Sequence, residues 1–393
     1  MTRSRVSAIV AAASITAAWV SVSSIGTEAS PGQLIAHEWG TFTSVAGEDG
    51  RAVEWLPFDG PTDLPCFVER TLPTVPKNVL SARLRMETPV IYFYAPRSTT
   101  VDVDVRFAQG IVTEHFPVAR VDSARVLQSG LMKPGHAGRA TWSNVRIEPR
   151  GVQQFPKEPG ENHYYAARQT EAAPLVVNGQ RERFLFYRGV SGFELPIVAT
   201  VDDEQGVTVH TGGHTIRGAV LFENRGGQVG HEVIETLTSE TTFGLPVLDD
   251  DVTTLRSDLE RLLVAQGLYP QEAAAMVETW RDSWFEEGVR LFYVIPQITV
   301  DAILPLTINP RPAELVRVFV GRLELVTPAM LSHVWERARR HDLPALEKYG
   351  RFLSPIGNQL LAREMGSADR LLVQSALQHA STLAARRAAA CAR

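Results

Sequence analysis

Two histidines, His210 and His214, stand four residues apart around Gly212-Gly213, a spacing that invites a metal-site reading. Neutral imidazole is a common zinc ligand, so a shared ion would make zinc or a similar metal the cofactor. The outcome rests on register. A two-residue turn at the glycines sends the two rings to opposite faces, whereas a three-residue loop sets them side by side. His231 is the third candidate ligand. On a helix it would share a face with Glu235, while the β-branched run Val233-Ile-Glu-Thr236 favours a strand.

Other groups offer less. Neither His37-Glu38 nor His231-Glu232 continues into the His-Glu-x-x-His pattern of helical metalloprotease sites. Gly189-Val-Ser-Gly192 brings its second glycine one residue too early for a nucleophile elbow. Asp249-Asp-Asp251 lacks the spaced oxygens of a calcium loop and reads as a helix cap. Trp280 and Trp284 share one helical face with Phe285 beside them, as a sugar-stacking stripe or as the buried side of a helix. Cys66 and Cys391 are the two cysteines. An oxidising compartment would allow a disulfide from the C-terminal tail to the N-terminal part, beside the alternative of two unrelated cysteines.

That compartment is argued from the first residues. Arg3 and Arg5 precede an uncharged stretch from Val6 to Thr27, and Thr27-Glu-Ala29 before Ser30 suits signal cleavage. The expectation is a periplasmic or secreted protein. The alternative is a membrane anchor through residues 6–27, the one route by which a membrane becomes a partner. With 44% hydrophobic and 21% charged residues, the rest has the make-up of a globular protein. A net charge of −5 leaves no basic excess for nucleic acid. The remaining partners are an envelope or extracellular polymer, or a protein.

The elements that must position these groups fall into two regions. Ile35–Val45, Pro89–Tyr94 and Arg183–Arg188 have strand composition, and Val101–Phe107 alternates cleanly. Val101–Phe107 is expected to pair with Ile111–Thr113 across residues 108–110, and Gly206–Thr211 with His214–Phe222 across Gly212-Gly213. Residues 153–174 read as a long surface loop. Helices are expected over Val252–Gln266, from Pro270 to Gly288, from Pro328 to Arg340 and at the C-terminus, with strands at 289–295 and 314–326 between them. The chain is expected to be α+β. A signal peptide (1–29) precedes a β-rich, sandwich-like domain (30–245) and a helix-rich α/β domain (246–393).

Four stretches, His37–Val45, Glu87–Tyr94, Thr279–Gly288 and Val318–Glu324, resemble segments of uncharacterised exported proteins from environmental bacteria. The resemblance implies export and a bacterial envelope setting, and brings no activity or binding residue. Two functions remain open. The first is a non-catalytic binding or scaffold protein using a β-surface or an interdomain groove. The second is a metal-assisted hydrolase of an envelope or extracellular polymer, with His210, His214 and His231 among its ligands.

Overall fold

A computed structural model describes residues 33–57, 64–71, 81–122, 137–204 and 206–387. The signal or anchor segment and Cys391 lie outside the described residues. Strands come first: β1 (Ile35–Val45), β2 (Glu69–Arg70), β3 (Leu84–Tyr94), β4 (Thr99–Phe107), β5 (Gly110–Phe116), β6 (Arg120–Val121) and β7 (Gly138–Ile147). After a 3-10 turn at His163–Arg168 come β8 (Leu175–Val177), β9 (Gln180–Glu182), β10 (Leu185–Ser191) and β11 (Val198–Val201). The long pair β12 (Gly206–Arg225) and β13 (Gln228–Gly244) follows. Helices α1 (Val252–Ala265), α2 (Pro270–Thr279) and α3 (Arg281–Trp284) precede β14 (Gly288–Val294). Then come α4 (Gln297–Ile303), β15 (Leu306–Asn309), β16 (Glu314–Leu325), α5 (Pro328–Arg339), α6 (Leu343–Glu347), α7 (Leu353–Ala362) and α8 (Ser367–Arg387).

Sheet dominates this α+β chain, with 42% strand against 27% helix, and the C-terminal end is helical. The larger sheet runs β11-β12-β14-β16-β1-β3-β10-β5-β2, with β13 also on β12. The smaller runs β15-β4-β7-β8-β9, with β6 on β7. β1 and β16 pair in parallel, and β14 and β16 lie between β12 and β1. Residues on both sides of the expected 245/246 boundary therefore share one sheet. Composition does shift there, yet backbone pairing ignores it.

One apolar cluster joins both sheets, with Val103, Val105 and Trp142 from the smaller and Ile91, Phe93 and Leu291 from the larger. A second lies between the larger sheet and Leu255, Leu259 and Leu263 of α1 with Met276 of α2. β1 is buried on both faces because it is covered on both, whereas β4 alternates because one face meets water. A third cluster knits α5 to α8, with Val45 and Trp55 against it.

Several local expectations are corrected. β4 and β5 do not form a hairpin: β4 pairs β7 and β15, and β5 pairs β10 and β2, so the chain changes sheets at residues 108–109. The cue was available, since β4 alternates and β5 is buried throughout. Gly212-Gly213 is not a hairpin turn either. Both adopt positive φ within the single strand β12, where pairing to β13 is interrupted between His210 and Thr215. The reversal comes at Gly226-Gly227, between β12 and β13. Residues 153–174 are not a bare loop, because Tyr164 and Ala167 are buried and Arg168 meets Glu182 at 2.6 Å. The helix opening at Pro270 stops at Thr279, short of Gly288.

Candidate functional site

The helix-facing side of the larger sheet changes character along its strands. Val316, Val318 and Val320 of β16, Phe292 and Val294 of β14, and Val220 and Phe222 of β12 belong to the apolar cluster beneath α1 and α2. Two residues further in the same phase, β16 presents Arg322 and Glu324, and β14 presents Arg290. Side chains alternate with period two, so these charges lie on the same face as the valines.

β3 reaches that face by a different route. Val90 and Tyr92 pack beneath the helices, whereas Leu84 and Met86 belong to the cluster between the sheets. Parity alone would send Glu87 and Arg85 to the wrong face. A bulge reverses it: Trp39 pairs Val90 and Thr41 pairs Glu87, leaving Thr88 and Pro89 opposite Gly40. Thr88 holds φ of 46°, a strained value for a β-branched residue. A Cβ on Gly40 would lie 2.7 Å from the Phe319 ring and 3.1 Å from Pro89, so the bulge needs glycine there.

The outcome is a buried charged belt. Arg290 and Arg322 are fully buried and converge on Glu324, whose Oε1 is 2.7 Å from Arg290 Nε and 2.7 Å from Arg322 Nη2. Arg351, from the turn before α7, meets the buried Glu87 carboxylate at 2.9 Å. Arg85 lies 3.9 Å from Glu87 and donates to Pro57 O at 2.7 Å. Glu286 closes the belt, 3.5 Å from Arg322. Burial alone would raise the Glu87 carboxyl, but Arg351, Arg85 and Arg322 more than offset it and hold its pKa down. At Glu286 burial wins over the same kind of neighbours, and its pKa is raised.

Arg290 links this belt to the surface. Its Nη1 donates to the carbonyls of Trp284 (2.6 Å) and Glu286 (2.7 Å), and its Nη2 to Glu287 (2.9 Å). The loop from 284 to 287 is thereby pinned, with Glu286 turned to the belt and Glu287 outward. Glu287 accepts from Gly226 N at 2.7 Å, fixing the β12–β13 turn beside it. Above lies a cleft of about 430 Å³ between that turn and α5–α6, where Arg225, Glu287, His333, Arg337, Lys348 and Tyr349 contribute to the lining. Burial, with Glu287 nearby, pushes the Tyr349 phenol up, so it stays a neutral donor.

The three sequence-nominated ligands do not meet. His210 is half-exposed and lies 3.1 Å from Glu240. His214 sits in the interrupted stretch after Gly213. His231 is on strand β13, so the helical pairing with Glu235 does not occur. Its Nδ1 is 2.6 Å from Asp250 and its Nε2 is 2.9 Å from Asp258, tying β13 to α1. Both ring nitrogens are thus engaged by carboxylates of the protein itself. Glu240 opposite His210 and His231 lie nine residues apart on β13, roughly 30 Å at strand rise. No group of three or more His, Cys, Asp or Glu suited to a metal occurs among the described residues.

Trp280, at the break between α2 and α3, and Trp284, at the end of α3, are both buried, so the expected single helical face is interrupted between them. Ser191 is fully buried in β10. Cys66, half-buried before β2, is disulfide-bonded, and its expected partner Cys391 lies outside the described residues. Among the described residues no helix is long and apolar enough to cross a membrane. Sequence reasoning missed one further cluster. His37 Nδ1 is 2.7 Å from Glu272, and Tyr94 donates to the same carboxylate at 2.8 Å. His37 and Glu272 are 235 positions apart in the chain, so no local signal could have joined them. The arginine belt carried a weak signal: charges at Arg322, Glu324 and Arg290 in the phase of buried valines.

Neither a protein-family model nor a curated protein matches the chain. Among solved structures it is similar to the yeast delta-COP-I mu-homology domain complexed with a Dsl1 WxWxV peptide. That match has 8% identity and a TM-score of 0.26, covering 75% of this chain and 96% of that one. The same domain alone matches at 8% identity and a TM-score of 0.25, over 75% of this chain and 95% of the other. Likeness at that level carries no argument about fold or function.

Proposed function

We propose that the chain is an exported, non-catalytic binding or scaffold protein, its two sheets packed in a sandwich-like body, that takes a ligand in the cleft beside α5 and α6. One observation carries this reading. The pinned loop from 284 to 287 forms one wall of a cleft of about 430 Å³, a volume suited to a small ligand. Donors dominate the lining, without a paired nucleophile and base. Arg3, Arg5 and the uncharged stretch after them support export.

The reading is tested by denaturing the purified protein and analysing the released small molecules by mass, beside the Ala345→Trp variant. Ala345 lines the cleft, and an indole there fills it. A molecule released unchanged from the parent and missing from the variant is the expected result. Equal recovery from both proteins, or recovery of a converted product, contradicts it.

A further inference from the structure

We infer that the ligand of this cleft is an oxyanion, a small molecule bearing carboxylate or phosphate groups; the inference rests on the binding role proposed above. It follows from comparing donors with acceptors in the lining. The two carboxylates are already engaged by the protein. Asp342 accepts from Arg337 Nη1 at 3.0 Å and from Ala345 N at 3.3 Å, and Glu287 accepts from Gly226 N at 2.7 Å.

The donors are not used up. Arg337 gives Nη1 to Asp342, and its side chain is 36% exposed, which leaves its other terminal nitrogen. Lys348 is exposed at the cleft and has no acceptor among the described residues; the same holds for the His333 ring, which rests against Tyr349 at 6.3 Å. Arg225 spends Nε and Nη2 on Glu223, at 2.8 and 2.5 Å, which leaves its second terminal nitrogen. These donors lack a protein acceptor, so a ligand that brings acceptors gains most here. A charged oxygen gains more than a neutral one, because it adds direct Coulomb attraction to the Lys348 and Arg337 charges.

The belt behind the cleft has the same sign. Arg85, Arg290, Arg322 and Arg351 face Glu87, Glu286 and Glu324, an excess of one positive charge where screening by salt is weak. A cation would meet that field, with Asp342 engaged at both oxygens and Glu287 at one.

Calorimetric titration of the purified protein with citrate, inorganic phosphate and N-acetylglucosamine tests the inference, using the Lys348→Ala, Arg337→Ala and Ala345→Trp variants. Citrate, phosphate or both should bind, more weakly as salt is raised. Lys348→Ala and Arg337→Ala should each weaken that binding about tenfold or more, and Ala345→Trp should abolish it. Lys348 is exposed, so its variant keeps the test valid if Arg337→Ala unfolds. Binding of citrate alone assigns a carboxylate ligand, and of phosphate alone a phosphate ligand. Oxyanion binding that all three variants leave unchanged overturns the inference. N-acetylglucosamine binding that Ala345→Trp blocks, with no oxyanion binding, overturns the ligand class and keeps the cleft. No binding of any of the three overturns the ligand class, and the release experiment then decides the cleft.

Discussion

Arg290 and Glu324 face each other across neighbouring strands, Nε to Oε1 at 2.7 Å, both out of contact with bulk water. The pair ties the sheet interior to the cleft, because the same guanidinium holds three carbonyls of the loop that presents Glu287. Arg290→Leu takes one of two arginine partners from the buried Glu324 and frees those carbonyls. Breaking a buried pair from one side costs about 3–5 kcal/mol. Urea unfolding should report a loss of that size, and a loss under about 1 kcal/mol would show that the pair does not organise the loop.

Glu87 sets a pH dependence with a definite sign. Its folded pKa is lowered, so the stability it contributes is present above the unfolded value, roughly 4.3, and is lost as pH falls through the folded value. Glu87→Gln should therefore be less stable than the parent at neutral pH, with the gap closing in acid. Urea midpoints across pH give the comparison, and a constant gap contradicts it.

His115 acts over a different window. Burial pushes its imidazole down to about 4, whereas in the unfolded chain it titrates near 6.5, roughly the free value. The unfolded state takes up a proton first as pH falls, so stability drops between those two values, by on the order of 3 kcal/mol. His115→Gln should remove most of that slope. An unchanged slope would assign it to other groups.

His231 is a structural tie between β13 and α1, flanked by Asp250 and Asp258. His231→Ala should lower the thermal midpoint and leave metal content unchanged, as should His210→Ala for metal. Near-stoichiometric zinc in the parent, lost in either variant, would restore the hydrolase reading.

Much of the architecture was legible, and the misses have local causes. The strand composition of β1, the phases of β4 and β16, and the starts of α1 and α2 after Asp251 and at Pro270 follow from residue type, periodicity and capping. Gly212-Gly213 has hairpin chemistry, but the strand continues through it because β13 offers pairing on both sides. The Thr88–Pro89 bulge was invisible, since it depends on Gly40 in another strand. The cleft was equally hidden. Its lining comes from Arg225, Glu287 and residues 333–349, brought together only when β14 and β16 enter the sheet beside β12.

A crystal structure of the protein grown with citrate tests the central claim most directly. The account predicts citrate in the cleft, with carboxylate oxygens in hydrogen-bond reach of Arg337 and Lys348 and the loop from 284 to 287 still held by Arg290. Citrate bound elsewhere while the cleft stays empty would contradict it.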